Sequence, residues 1–268
     1  MARAAVALQL TATPVDALGM DASAYAFAHG VRRTRATLRV WERDPGPVLR
    51  RWFAGSALAA CGLLCAMLVI AELSTGYVQV LTLVPPFVVG DGANVLNILG
   101  HNLLVLALHA MACVAGFIAG SSLPLQARSH RGVSRWVHEH GGPIAIAFVI
   151  CATAFSLSYQ AYTLGRTLAG VAHFLKVSPA LLLLGVLPHA VCELTALFLP
   201  LAAWIIASRR GEWDQLLAAT FVTVAIAVPM LVVAALIEVY VSPHLFTALT
   251  GIHPPIVRSV EGWIVTVR

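Results

Sequence analysis

The chain has 268 residues, of which 59% are hydrophobic and 11% are charged, whereas typical soluble domains carry about 25% charged residues. This balance excludes an ordinary soluble domain and indicates a membrane protein. The formal net charge of +5 would favour nucleic-acid binding only if the basic residues shared one surface, and their positions along the chain indicate another role.

Five apolar stretches are long enough to cross a bilayer, which takes about 20 helical residues. They begin near Trp52, Ala93, Pro143, Pro179 and Leu216. The sequence therefore predicts an all-α, polytopic protein with five transmembrane helices, placed among the lipids of the cell membrane. We divide it into a basic segment at 1–50, a five-helix membrane domain at 51–246 and a tail at 247–268.

The basic residues are distributed unevenly between the two predicted sides of the membrane. One group precedes the first span or lies in the second and fourth loops: Arg3, Arg32, Arg33, Arg35, Arg39, Arg43, Arg50, Arg51, Arg128, Arg131, Arg135, Arg209 and Arg210. The other side receives only Arg166, Lys176, Arg258 and Arg268. By the positive-inside rule the N-terminus is cytoplasmic and the C-terminal tail lies outside. The basic excess is thus a topology signal, and we expect no nucleic-acid partner.

Two segments outside the spans have two interpretations each. The stretch HGVRRTRATLRVWERDPGP, which ends the segment 1–50, either lies along the inner leaflet, drawn to anionic lipid at about 1 kcal/mol per basic residue, or is a flexible tail. The stretch HEHGG at 138–142, in the loop before span three, could hold a metal, although a solvated loop is the favoured interpretation.

Spans two and three carry polar residues at membrane depth. In span two, Asn94, Asn97 and His101 follow the spacing i, i+3, i+7, and Asn102 lies beside His101. Span three contains Tyr159, close to the end that we predict near residue 162.

Spans four and five add ionisable residues. His189 and Glu193, in the stretch LPHAVCELTALFLP, are four positions apart and therefore share one helix face. Glu238 lies near the outer end of span five. A charge at the bilayer centre costs roughly 2.5 to 3.5 kcal/mol, so such groups usually face the bundle interior. Counting along each helix at about 1.5 Å per residue places all of these groups in the outer half of the bilayer, which predicts one shared site.

Three chemistries fit that site. His101, His189, Glu193 and Glu238 form a ligand set for a divalent metal such as zinc, with Glu193 or Glu238 left as a catalytic base and with Asn102 and Tyr159 around the ligands or facing substrate. Histidine and glutamate at membrane depth can instead carry protons or a transported ion. A hydrogen-bonded cluster that fixes helix packing is the third interpretation.

The same residues carry a family resemblance. The stretches NILGHNLLVLALHAMACVAGFIAG, LPHAVCELTALFLPLAAWIIA and VVAALIEVYVSPHL resemble the stage II sporulation protein M (SpoIIM-like) family of five-span membrane proteins over residues 50–246. The resemblance implies the fold and topology, and for the namesake branch a scaffold for peptidoglycan-remodelling enzymes. The chain departs from the family pattern at His101, where an asparagine is usual, and at Ala190, where glycine is usual.

The predicted function combines these observations. We expect an intramembrane metal-dependent hydrolase, peptidase-like, which acts on a peptide or another amide or ester at the outer half of the bilayer. The alternative is a non-enzymatic SpoIIM-like scaffold or a transporter subunit for envelope assembly, with envelope proteins as partners.

Overall fold

The computed structural model of the protein describes residues 22–74, 92–123 and 131–252. Residues 1–21, most of the loop between spans one and two, the middle of the second loop and residues 253–268 lie outside this description. The expectations for those segments, including most of the predicted tail at 247–268, stay predictions.

Every regular element in the described ranges is a helix. The α-helices are α1 (Ala22–Arg43), α2 (Gly46–Ser74), α3 (Gly92–Phe117), α4 (Gly132–Leu175), α5 (Pro179–Arg210), α6 (Leu216–Leu236) and α7 (Ser242–Thr250). A π-helical turn at Ile118–Ser122 follows α3, and a second at Ile237–Val241 joins α6 to α7.

Within the described residues, five helical stretches have the length and apolar composition to cross a membrane. They are Gly46–Ser74, Asn94–Ser121, Ile146–Leu175, Pro179–Arg210 and Trp213–Thr250. The prediction of an all-α protein with five transmembrane helices is therefore confirmed, while the orientation of the termini stays a prediction.

Helix α5 is the centre of the bundle. In its most apolar window 61% of the residues are buried, against 6% in α4, and it packs against α2, α3 and α6. Its ends are well defined: the Ser178 side chain accepts a hydrogen bond from the Leu181 amide, and Gly211 closes the helix with a φ of 68°. The serine cap at the start and the glycine cap at the end both satisfy backbone groups that lack a hydrogen-bond partner within the helix. The central helix is thus the one that carries His189 and Glu193.

Helix α4 is longer at its start than the sequence predicted. The predicted loop before Pro143 is helical from Gly132 onward, so the proline lies inside the helix. Local i, i+4 contacts favour this extension: the Trp136 and His140 rings stack with their centroids 4.8 Å apart. The side chains of His138 and Glu139 lie outside the described residues, so the possible metal site there stays untested.

Helix α4 also continues beyond the predicted end near residue 162, to Leu175, where Lys176 adopts a φ of 56°. The physical reason is the absence of proline over this stretch together with close packing at Gly165, against which Ile70 and Met67 of α2 lie. The helix therefore ends at Leu175, where the left-handed conformation of Lys176 closes it.

The basic segment before the first span is helical where the structure describes it. Helix α1 covers Ala22–Arg43 and α2 begins at Gly46, so this part of the segment 1–50 is a helix rather than a flexible tail. Helix α1 contacts α6 and the short turn before it.

Candidate functional site

The predicted polar residues surround one cavity, which we call the outer cavity. Its volume is about 510 Å³, and its polar lining comprises Asn97, His101, Asn102, Thr167, His189, Glu193 and Glu238. The rest of the lining is apolar and comes largely from leucines of α2, α4 and α5. The cavity is therefore amphiphilic, and we call its apolar lining residues the apolar wall.

Helical periodicity explains how each helix contributes one face. Helix α4 lines the cavity with Leu164, Thr167, Leu168 and Val171, which follow the spacing i, i+3, i+4, i+7 of a single face. Helix α5 repeats this pattern with a face that includes His189 and Glu193. Five helices, α2 to α6 with its π turn, thus present one face each to a common space.

The outer cavity lies at one end of the bundle. Its lining comes from the C-terminal parts of α2 and α4, the N-terminal parts of α3 and α5, and the π turn that follows α6. Successive spans run in opposite directions, so these parts share one end. Under the predicted topology, that end is the outer half of the membrane.

His189 is held by a hydrogen bond across helices. Its Nδ1 atom lies 2.7 Å from the Oγ atom of Ser242, the first residue of α7, and both residues are buried, with His189 8% exposed. A hydrogen bond to one ring nitrogen fixes the orientation of an imidazole and leaves the other nitrogen for a second partner. The contact joins α5 to the end of the fifth span.

Two carboxyl groups share the cavity. Glu193 comes from α5 and Glu238 from the π turn, and both line the outer cavity. Both side chains are half-buried. Because π-helical turns occur frequently at functional sites, the position of Glu238 in such a turn supports a functional role for this residue.

Asn102 contributes an unsatisfied donor. It is 6% exposed and lies near the Glu193 carboxyl, yet its Nδ2 atom has no hydrogen-bond partner among the described residues. A buried amide nitrogen without a partner costs about 1 to 3 kcal/mol. An acceptor atom on a bound ligand would satisfy this nitrogen.

Two of the predicted site residues do not lie inside the cavity. His101 lines the cavity but is exposed, so it lies at the rim. Tyr159 does not line the cavity: its side chain is 60% exposed and its ring stacks on Phe155 at 6.3 Å between centroids. The sequence predicts Tyr159 near the end of span three, but α4 continues to Leu175, so Thr167 lies at the level predicted for Tyr159.

Three polar residues at the site were not predicted as site residues from the sequence. Asn97 was recognised only as part of the stripe on span two, while Thr167 fell in a predicted loop. Ser242, which contacts His189, stands just before Pro243, and a serine before proline at the end of a long apolar run was the signal that could have drawn attention to it.

No ready-made metal centre is present in the described part of the chain. There, no group of three or more His, Cys, Asp or Glu side chains is arranged to hold a metal ion. The geometry thus gives the predicted zinc site of His101, His189, Glu193 and Glu238 no support beyond bringing the four residues to one cavity.

Comparison with known proteins agrees with the sequence resemblance. The family model of Stage II sporulation protein M matches residues 143–243, which include α5, α6 and most of α4. The stretch of span two that we quoted for the resemblance lies outside the match. No match to this chain was found among curated proteins or among solved structures.

The five apolar helices and the matched segment lead to the same conclusion. The matched segment contains His189, Glu193 and Glu238, whereas His101 and Asn102 lie before it. The chain is a multi-pass membrane protein whose residues 143–243 are similar to the Stage II sporulation protein M family.

Proposed function

We propose that the outer cavity binds the N-terminal end of an apolar peptide and that the protein acts as a peptide-receiving membrane protein. The observation that carries the proposal is charge: Glu193 and Glu238 share the cavity, and among its described lining residues none is lysine or arginine. Two neighbouring carboxylates at membrane depth need a positive partner. The ammonium group of a peptide N-terminus supplies one.

The remaining contacts support the same ligand. The Asn102 Nδ2 atom, buried without a partner, is a donor for the first carbonyl oxygen of the peptide. The apolar wall, which includes Leu168 and Leu182, offers hydrocarbon surface for an apolar first side chain. Ligand pockets in proteins range over about 300 to 1,000 Å³, and the outer cavity, at about 510 Å³, falls within this range.

The test measures binding of a leucine-rich peptide with a free N-terminus to the protein in lipid nanodiscs. Removing one partner of a close charge pair typically costs about 2 to 5 kcal/mol. We therefore expect Glu193→Gln and Glu238→Gln each to weaken binding by at least roughly tenfold. Glu42→Gln, which removes an exposed carboxylate on α1, is the matched control and should leave binding unchanged. Equal affinity in the unmodified protein and in all three variants would contradict the proposal.

A metal-dependent hydrolase is the second candidate, favoured by the presence of two histidines and two carboxylates in the lining of one cavity. In this case the bound cation is a divalent metal such as zinc, with one glutamate as base. The hydrogen bond between His189 and Ser242 resembles the support that metal-binding histidines usually receive.

Metal analysis of the purified protein separates the two candidates. The peptide-receiving function predicts a metal content well below one ion per chain, unchanged in His189→Ala and Glu193→Ala. Near-stoichiometric zinc that is lost in both variants, together with cleavage of the peptide, would instead establish the hydrolase.

A further inference from the structure

A second cavity lies at the opposite end of the bundle, and we call it the inner cavity. It has a volume of about 350 Å³ and lies between the turn from α1 to α2 and the connection from α5 to α6. Its charged and aromatic lining residues are Trp41, Asp44, Arg51, Trp52, Arg210 and Glu212. None of them lines the outer cavity.

The lining carries both signs of charge, but the charges do not pair with each other. In the part of the chain that the structure describes, an ion pair of 3.4 Å joins Arg33 to Asp214, and neither Arg51 nor Arg210 forms one with Asp44 or Glu212. Opposite charges that face one space without neutralising each other are available to a ligand that carries both signs.

Two tryptophans frame the same cavity. The Trp41 and Trp52 rings meet edge to face, with their centroids 5.1 Å apart, and Trp52 is buried. Tryptophan is enriched at the headgroup level of membranes because its ring is apolar and its N–H is polar. The cavity thus lies at the end of the bundle where, under the predicted topology, the helices leave the cytoplasmic leaflet.

We propose that the inner cavity binds the headgroup of a zwitterionic phospholipid with a primary ammonium, such as phosphatidylethanolamine. Arg51 and Arg210 would hold the phosphate, because guanidinium groups match phosphate oxygens in charge and geometry. Asp44 and Glu212 would hold the ammonium, and the tryptophans would lie along the glycerol and upper acyl region. The bound lipid would link α1 and α2 to the central helix α5.

The experiment measures lipid retention by native mass spectrometry after purification from nanodiscs. The nanodiscs contain equal amounts of phosphatidylethanolamine, phosphatidylglycerol and phosphatidylcholine. We expect phosphatidylethanolamine to be retained preferentially and Arg51→Gln/Arg210→Gln to retain it roughly tenfold less, since the substitutions remove charge-assisted hydrogen bonds to the phosphate. Asp44→Asn/Glu212→Gln should remove the preference over phosphatidylglycerol.

The matched control changes the same number of charges next to the cavity. Arg50 and Arg209 adjoin Arg51 and Arg210 in the chain and are exposed, but they do not line the inner cavity. Arg50→Gln/Arg209→Gln should retain the lipid normally. Equal loss in both double variants, or retention of phosphatidylglycerol as strong as that of phosphatidylethanolamine, would overturn the proposal in favour of unspecific charge attraction.

A competition arm separates a lipid from a free ion. Soluble glycerophosphoethanolamine should displace the retained lipid, whereas inorganic phosphate at the same concentration should not. If inorganic phosphate displaces the lipid equally well, the site recognises a phosphate group alone and the proposal is wrong. Thermal unfolding of each variant shows whether the substitutions leave the fold intact.

Discussion

The ionisable residues of the outer cavity lie beside side chains from other parts of the chain. Ser242 holds His189, Asn102 lies beside Glu193, and Glu238 comes from a third chain segment to the same space. Each neighbour lies far away in sequence, so the arrangement depends on the fold rather than on local structure.

The contact between His189 and Ser242 should contribute measurably to stability. Ser242→Ala leaves a buried imidazole nitrogen without its partner, which costs about 1 to 3 kcal/mol, so we expect a lower unfolding temperature in detergent. Ser208→Ala is the control, because the Ser208 hydroxyl only donates back to the Trp204 carbonyl within the same helix and such bonds add little stability. Equal effects of the two substitutions would show that the contact across helices is not stabilising.

The sequence predicts those site residues whose ionisable side chains are energetically costly in an apolar helix. His189, Glu193 and Glu238 stand out because ionisable groups are expensive in apolar helices, and His101 and Asn102 follow from the polar stripe. Neutral residues such as Thr167 carry no such cost, so only the packing of α4 identifies them. Tyr159 was misplaced because its depth was counted from a helix end that the structure puts at Leu175.

At the level of helices, the number and type could be predicted while the ends could not. Apolar length determines a transmembrane helix, which is why all five were found, but helices continue beyond the bilayer wherever nothing stops them. Helix α4 passes Pro143 at one end and stops only at Lys176 at the other. The π turn that holds Glu238 depends on tertiary packing and leaves no periodic signal.

The crossing of α2 and α4 should depend on the absence of a side chain at Gly165. A Cβ atom there would lie 2.8 Å from the Met67 carbonyl oxygen and 2.8 Å from Ile70 Cβ. Gly165→Ala should therefore separate the helices that form the apolar wall and destabilise the protein by about 1 to 3 kcal/mol, measured by thermal or denaturant unfolding.

Gly170 on the same helix provides the control. A Cβ atom at Gly170 meets nothing within 4 Å, and alanine favours the helix by up to about 1 kcal/mol over glycine. Gly170→Ala should be neutral or stabilising. If Gly165→Ala behaves in the same way, the close approach of α2 and α4 is not a feature of the folded protein.

For the whole molecule, the arrangement places two different cavities at opposite ends of one bundle. The outer cavity has carboxylates and no lysine or arginine among its described lining residues, while the inner cavity has two arginines and two carboxylates. Helix α5 contributes to both and is the most buried span. We infer that α5 positions both sites.

The orientation of the molecule is a prediction from the distribution of arginines and can be tested in cells. In a background without cysteine, His173→Cys near the end of α4 and Glu42→Cys on α1 place single thiols at exposed positions at opposite ends. A membrane-impermeant maleimide should label His173→Cys in intact cells and Glu42→Cys only after lysis. The reverse pattern would invert the topology and place the outer cavity in the cytoplasmic half.

The most direct test of the central claim is a cycle that combines two changes: acetylation of the peptide N-terminus and Glu193→Gln/Glu238→Gln in the protein. If the ammonium of the peptide meets the two carboxyl groups, acetylation weakens binding to the unmodified protein by roughly tenfold or more and has almost no further effect on the variant. An equal loss on acetylation in both proteins, or no loss in either, would contradict the account, because the cavity would then not recognise the charge at all.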